Sequence, residues 1–157
     1  MVVVNMAKWL SDFTEDRMYC CPAADDGFLP SYRHYPAKYI GNYVSGDVKY
    51  VAVVAACVRL NRTGPDEVLW KFTDISDEDA IAKAEAVRLK TGRNRRPCIV
   101  FLQEDLSVTA FPYDMRGGLQ SSRVYFDISE IEPIKDVKEL AINLRRTSWT
   151  NLARWKP

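Results

Sequence analysis

Five cations fall within nine residues, Arg88, Lys90, Arg93, Arg95 and Arg96, with no acid among them. Arginine forks match phosphate oxygens two at a time, and Gly92 inside the run lets backbone approach an anion, so these side chains are candidates to grip a nucleic-acid backbone. The competing explanation is a solvated helix C-terminus whose cations favour the dipole. Aromatic rings form the second group. Tyr32, Tyr35, Tyr39, Tyr43 and Tyr50, together with Trp70, are of the type that stacks on an extruded or single-stranded base. Tyr39 and Tyr43 share one face of an alternating strand with Gly41 between them, which would leave a gap for a flat ligand. Against this, tyrosines are ordinary strand residues whose rings pack and whose hydroxyls reach water or backbone. Near the C-terminal end Arg145, Arg146, Trp149, Arg154 and Trp155 mix cations with indoles. That mixture suits nucleic acid or an acidic protein surface, or simply anchors the tail.

Enzyme chemistry has fewer candidates. His34 is the single imidazole, set beside Arg33 and Tyr35 ahead of an apolar hairpin, and is a candidate polar contact rather than a general base. Asp25-Asp26 and Glu104-Asp105 are adjacent carboxylates of the kind that hold Mg²⁺ in nucleases, yet both read as turns, where aspartate is ordinary. Glu67-Val-Leu-Trp-Lys71 does not reproduce the Glu-x-Lys spacing of a metal-dependent nuclease core. Cys20, Cys21, Cys57 and Cys98 have no C-x-x-C spacing, and Cys57 and Cys98 lie inside apolar runs. They read as free core thiols rather than zinc ligands, which fits a reducing compartment. No catalytic residue, metal or cofactor is expected.

Something must position these groups, and composition bounds what that is. At 157 residues, 47% hydrophobic and 27% charged, the chain is expected to be one domain, 1–157, with its own core. No apolar run approaches the roughly 20 residues of a membrane span. The opening MVVVN lacks the basic n-region of a secretory signal, so the expected location is the cytoplasm. A net charge of +1 excludes a strongly basic protein of the histone or ribosomal kind, so an electrostatic partner has to be met by a local patch. The charge is segregated: Asp66, Glu67, Asp74, Asp77, Glu78 and Asp79 stand against Lys71 alone, just ahead of the basic run.

Hydrophobic periodicity supplies the elements. Residues 6–13 read as a short helix and Arg17–Ala23 as a strand ended by Pro22. Lys38–Val44 and Val48–Leu60 read as a hairpin around Ser45-Gly46-Asp47, the return strand being apolar on both faces and therefore central. Val68–Phe72 is a further strand. Ser76-x-x-Asp79 caps a helix over 76–91 that Gly92 stops. Pro97–Gln103 and Val108–Tyr113 read as a second hairpin turning at 104–107. A loop over 114–122 leads to the strand Arg123–Ile128, and Asp136-x-x-Glu139 opens the last helix. The expected fold is α+β, a strongly curved mixed or antiparallel sheet or pseudo-barrel of about seven strands with two main helices. A parallel doubly wound fold is disfavoured, because only one helix lies between strands.

Tyr39-Ile40-Gly41-Asn42-Tyr43-Val44, followed by Val48-Lys49-Tyr50-Val51-Ala52-Val53-Val54, resembles the hairpin of PUA-like domains, the superfamily of EVE, ASCH and YTH-type modules. The likeness spans about Tyr32 to Ile128 and is one of strand pattern, so no family pocket is carried over residue by residue. It implies a small pseudo-barrel that binds DNA or RNA, reads a modified or flipped base, and serves in some cases in restriction or defence. The leading expectation is thus a non-catalytic nucleic-acid-binding module. In it Arg88, Lys90, Arg93, Arg95 and Arg96 hold phosphates, and Tyr39, Tyr43, Trp70 and Tyr35 stack. The alternative is a small protein-interaction factor, an inhibitor or adaptor, using the acidic segment 66–79 and Arg145, Arg146, Trp149 and Trp155. A metal-dependent nuclease using the turn carboxylates is the weaker alternative.

Overall fold

The computed structural model describes residues 1–5, 14–22, 35–90, 97–112, 123–131 and 134–147. Among them are β1 (Val2–Asn5), β2 (Met18–Pro22), β3 (Tyr39–Val44), β4 (Asp47–Leu60), β5 (Glu67–Lys71), α1 (Asp77–Lys90), β6 (Cys98–Pro112), β7 (Arg123–Tyr125) and α2 (Val137–Arg146). The fold is α+β. The seven strands among the described residues form one mixed sheet in the order β2-β6-β4-β3-β1-β7, with β5 paired to β4 beside that path. Contacts divide the chain into two compact units: Met1–Leu10, Ala37–Val53 and Asp105–Pro157 form the first, Ser11–Pro36 and Val54–Glu104 the second.

In the first unit β1 lies between two strands, parallel to β3 (Val2↔Ile40 to Asn5↔Tyr43) and antiparallel to β7 (Val2↔Tyr125 to Val4↔Arg123). Val2, Val3 and Val4 have no exposed surface, as β-branched residues in an interior strand should not. The MVVVN stretch was not expected to be a strand, and its parallel pairing makes the sheet mixed. The β3–β4 hairpin turns on Ser45 (φ 52°) and Gly46 (φ 100°), two left-handed residues in succession, the backbone that matches the twist of the flanking strands. One face of this unit is closed by α2, whose Val137, Leu140, Ala141 and Leu144 are buried with Val3, Tyr39, Tyr43, Val48, Val51, Phe111 and Phe126. Asp136 caps α2 by accepting the Glu139 N–H at 2.8 Å, and Glu139 returns a contact by accepting the Lys135 N–H at 2.8 Å.

The second unit pairs β2 with β6 (Met18↔Leu102 to Pro22↔Cys98) and β4 with β5 (Ala56↔Lys71 to Arg59↔Glu67). α1 supplies Ala80 and Ala84 to a core with Met18, Cys20, Ala56, Val58, Leu60, Val100 and Leu102. Alanines at a four-residue spacing let a helix lie close to a sheet. Ser76 caps α1, its Oγ accepting the Asp79 N–H at 3.0 Å, and acids fill the first turn while Arg88 and Lys90 end the last.

One expected element is corrected. Residues 98–112 do not fold back on themselves: β6 is a single strand of 15 residues through Glu104-Asp105-Leu106-Ser107. Residues 98–102 take β2 as their antiparallel partner, so a local hairpin would forfeit that ladder. The turn signal survives only as a left-handed Asp105 (φ 50°) inside the strand. The helix expected over 6–13, the Gly92 stop and the loop over 114–122 lie outside the described residues. None of the described helices is long and apolar enough to cross a membrane.

Candidate functional site

The tyrosine face of the hairpin is interior. Tyr39 is 6% exposed and Tyr43 8%, both within the core that α2 closes. The gap expected beside Gly41 is filled, since a Cβ there would meet Val48 Cγ1 at 2.9 Å and Val3 Cγ2 at 3.3 Å. Stacking needs a ring face open to a base, and both rings are buried in the core beneath α2. Trp70 is half-buried on β5, edge-on to Phe101 at 6.0 Å between centroids. Tyr35 is half-buried, and His34 lies outside the described residues.

The basic run is likewise engaged where it is described. Arg88 is buried on α1 and donates from Nε and Nη2 to both carboxylate oxygens of Glu85, each at 2.7 Å. That fork is the geometry a phosphate would have needed, used inside the protein instead. Glu85 holds Arg88 even more firmly protonated than a free guanidinium. Lys90 pairs with Asp16, which raises its pKa in turn. Arg93, Arg95 and Arg96 lie outside the described residues. At the other end, Arg145 donates to the carbonyls of Thr109 (2.6 Å) and Val108 (2.5 Å), tying α2 to β6, while Arg146 is exposed. Trp149 and Trp155 lie outside the described residues, as do Asp25 and Asp26.

The cysteines are free and buried, and burial, reinforced by Cys21, pushes the Cys57 thiol well above its ordinary value, away from nucleophilic use. Among the described residues no group of three or more His, Cys, Asp or Glu side chains is placed to hold a metal.

Two features of the second unit remain: one lies on the acidic segment 66–79 that the sequence offers as a protein contact, and the other has no counterpart in the sequence reading. The first is a surface at β5 and the start of α1. Leu69 is 36% exposed and Phe72 40%, and β5 pairs with β4 on one side, with no second strand partner among the described residues. Lys71 binds this surface together by donating to the Ile75 carbonyl at 3.1 Å and to Asp77 at 2.7 Å. Glu67 lies 3.6 Å from Arg59 across the strands, whereas Asp74 and Glu78 have no ion pair among the described residues. The second is a cavity of about 200 Å³ whose floor is Ala55, Ile75, Val87 and Leu102. Asp16, Arg17, Lys83, Gln103 and Glu104 complete its lining. Sequence spacing carries no signal for the cavity, because its residues come from segments far apart in the chain. Comparison with protein-family models, curated proteins and solved structures found no match to this chain.

Proposed function

We propose that the protein is an interaction factor that recognises a partner segment rich in cations and apolar side chains, through the surface formed by β5 and the first turn of α1. The observation that carries this reading is exposed Leu69 and Phe72 in one segment with Asp74, Glu78 and Asp79, exposed acids with no ion pair among the described residues, beside Glu67 and Asp77, which pair with Arg59 and Lys71. Apolar side chains within an acidic surround repel a phosphate backbone and attract lysine or arginine. The second edge of β5 supports the mode of binding: an extended segment adds as a strand, its backbone completing hydrogen bonds and its alternate side chains meeting Leu69 and the acids. Arg88 and Lys90, the described cations of the basic run, are spent on Glu85 and Asp16, which draws the reading away from nucleic acid.

A labelled peptide of alternating lysine and valine tests it by fluorescence anisotropy, with a single-stranded DNA of matched length as the competing probe. The peptide is expected to bind, and Leu69→Ser with Phe72→Ser, or Asp74→Lys with Glu78→Lys, to weaken it by at least about tenfold. Binding of the DNA without the peptide overturns the reading and returns the nucleic-acid expectation drawn from the PUA-like resemblance.

A further inference from the structure

From the cavity in the second unit we infer a binding site for a small zwitterion with a branched aliphatic side chain, the chemistry of a free aliphatic α-amino acid. Size comes first. Drug-sized and cofactor pockets run from about 300 Å³ upward, whereas an apolar cavity of about 150 Å³ takes a benzene-sized molecule. At about 200 Å³ this one suits a single short side chain with a compact polar head and excludes a nucleotide.

Its chemistry is divided in the same way. Ala55, Ile75, Val87 and Leu102 give it an aliphatic lining, and Gln103 adds a buried amide whose Oε1 and Nε2 have no hydrogen-bond partner among the described residues. Arg17 and Lys83 bring two cations and Glu104 an anion, and none of the three has an ion pair or side-chain hydrogen bond among the described residues. Asp16 is different, since Lys90 already neutralises it. A carboxylate placed between Arg17 and Lys83 and an ammonium on Glu104 would satisfy all three groups at once. A plain fatty acid would leave Glu104 unmatched, and an amine would leave both cations so.

The backbone at Arg17 is a second, independent observation. Arg17 sits at φ 55°, a left-handed conformation that costs a residue with a side chain about 1–2 kcal/mol relative to glycine. Its carbonyl is held there by the Gln103 N–H at 2.8 Å. Glycine would serve the backbone better, so the position keeps its side chain against a local preference, as residues at binding sites do.

Calorimetric titration with L-leucine tests the site, with 4-methylpentanoate and isopentylamine as the two half-ligands. Leucine is expected to bind, and each half-ligand to bind at least about tenfold more weakly, since each forfeits a charge-assisted contact. Lys83→Gln, on an exposed helix position, and Arg17→Gly, which relieves the backbone, are expected to keep the melting temperature within a few degrees. Both weaken leucine and 4-methylpentanoate by about tenfold and leave isopentylamine unchanged. Glu104→Gln gives the converse pattern. Absence of leucine binding at millimolar concentration overturns the proposal, as does 4-methylpentanoate binding as tightly as leucine, or leucine binding that ignores these substitutions. None of them touches the β5 surface, so peptide binding there stands or falls separately.

Discussion

Asn42 carries a primary amide into β3 with no exposed surface, and neither its Oδ1 nor its Nδ2 has a hydrogen-bond partner among the described residues. A buried amide left unmatched costs about 1–3 kcal/mol, while a valine there would add strand preference and remove the debt. Asn42→Val is therefore expected to raise stability by about 1 kcal/mol or more in urea unfolding; a loss of stability would mean the amide is satisfied after all. Arg88 is the opposite case, a buried charge that is matched. Glu85→Ala removes its bidentate partner and is expected to cost about 1–3 kcal/mol, whereas Arg88→Met, which keeps the packing and removes the charge together, should cost less. The reverse order of the two would show that Arg88 is held for packing rather than for its pair. Both residues explain why sequence reading of the site stopped short. A cluster of arginines and a row of tyrosines announce what they are able to do, but Glu85 for Arg88, and Val48 and Val3 beside Gly41, decide whether any of it is left over. Tyr39 and Tyr43 share one face, as their alternation implies, and only α2, remote in sequence, shows that the face is closed.

Local rules carried further at the level of the element. The β3–β4 hairpin was legible because its turn, its length and its apolar return strand all agree, the condition under which short-range pattern is reliable. The helices were legible for the same reason, each with a cap, and α2 with a one-sided apolar stripe. The second expected hairpin failed because Glu104-Asp105-Leu106-Ser107 has turn-like composition, while the pairing of residues 98–102 with β2 is worth more and is invisible locally. β1 was missed because a run of valines gives no alternation, and its two flanking partners come from far along the chain. The turn itself offers a test. Ser45 and Gly46 both need positive φ, which asparagine tolerates better than serine and glycine better than any side chain. Ser45→Asn should stabilise by a few tenths of a kcal/mol, and Gly46→Ala should cost about 1 kcal/mol or more, read as shifts in the unfolding midpoint. No atom lies within 4 Å of a Cβ built at Gly46, so a loss there would be backbone strain and nothing else. An unchanged midpoint for Gly46→Ala would show that the turn relaxes to another type.

For the molecule as a whole, net charge and charge placement lead to different expectations. At a net charge of +1 the chain exerts little pull on a distant ion, and the Debye length of about 8 Å at physiological salt removes most of what remains. Recognition by charge must then be local, and the two sites of the second unit should answer to salt in different ways. The acidic surround of Leu69 and Phe72 is solvent-exposed, and a lysine-rich segment meets it with several cations at once. Its affinity is expected to fall by at least about tenfold between about 50 mM and 500 mM sodium chloride. A zwitterion has no net charge to screen, and in the cavity its two ends face Arg17, Lys83 and Glu104 at close range over an apolar floor. Leucine affinity should therefore change by less than about twofold across the same series. Equal salt dependence at the two sites would contradict the assignment of a net-charged partner to one and a neutral zwitterion to the other. A peptide whose binding ignores salt would instead be held by Leu69, Phe72 and strand pairing alone, leaving Asp74 and Glu78 without a part in recognition.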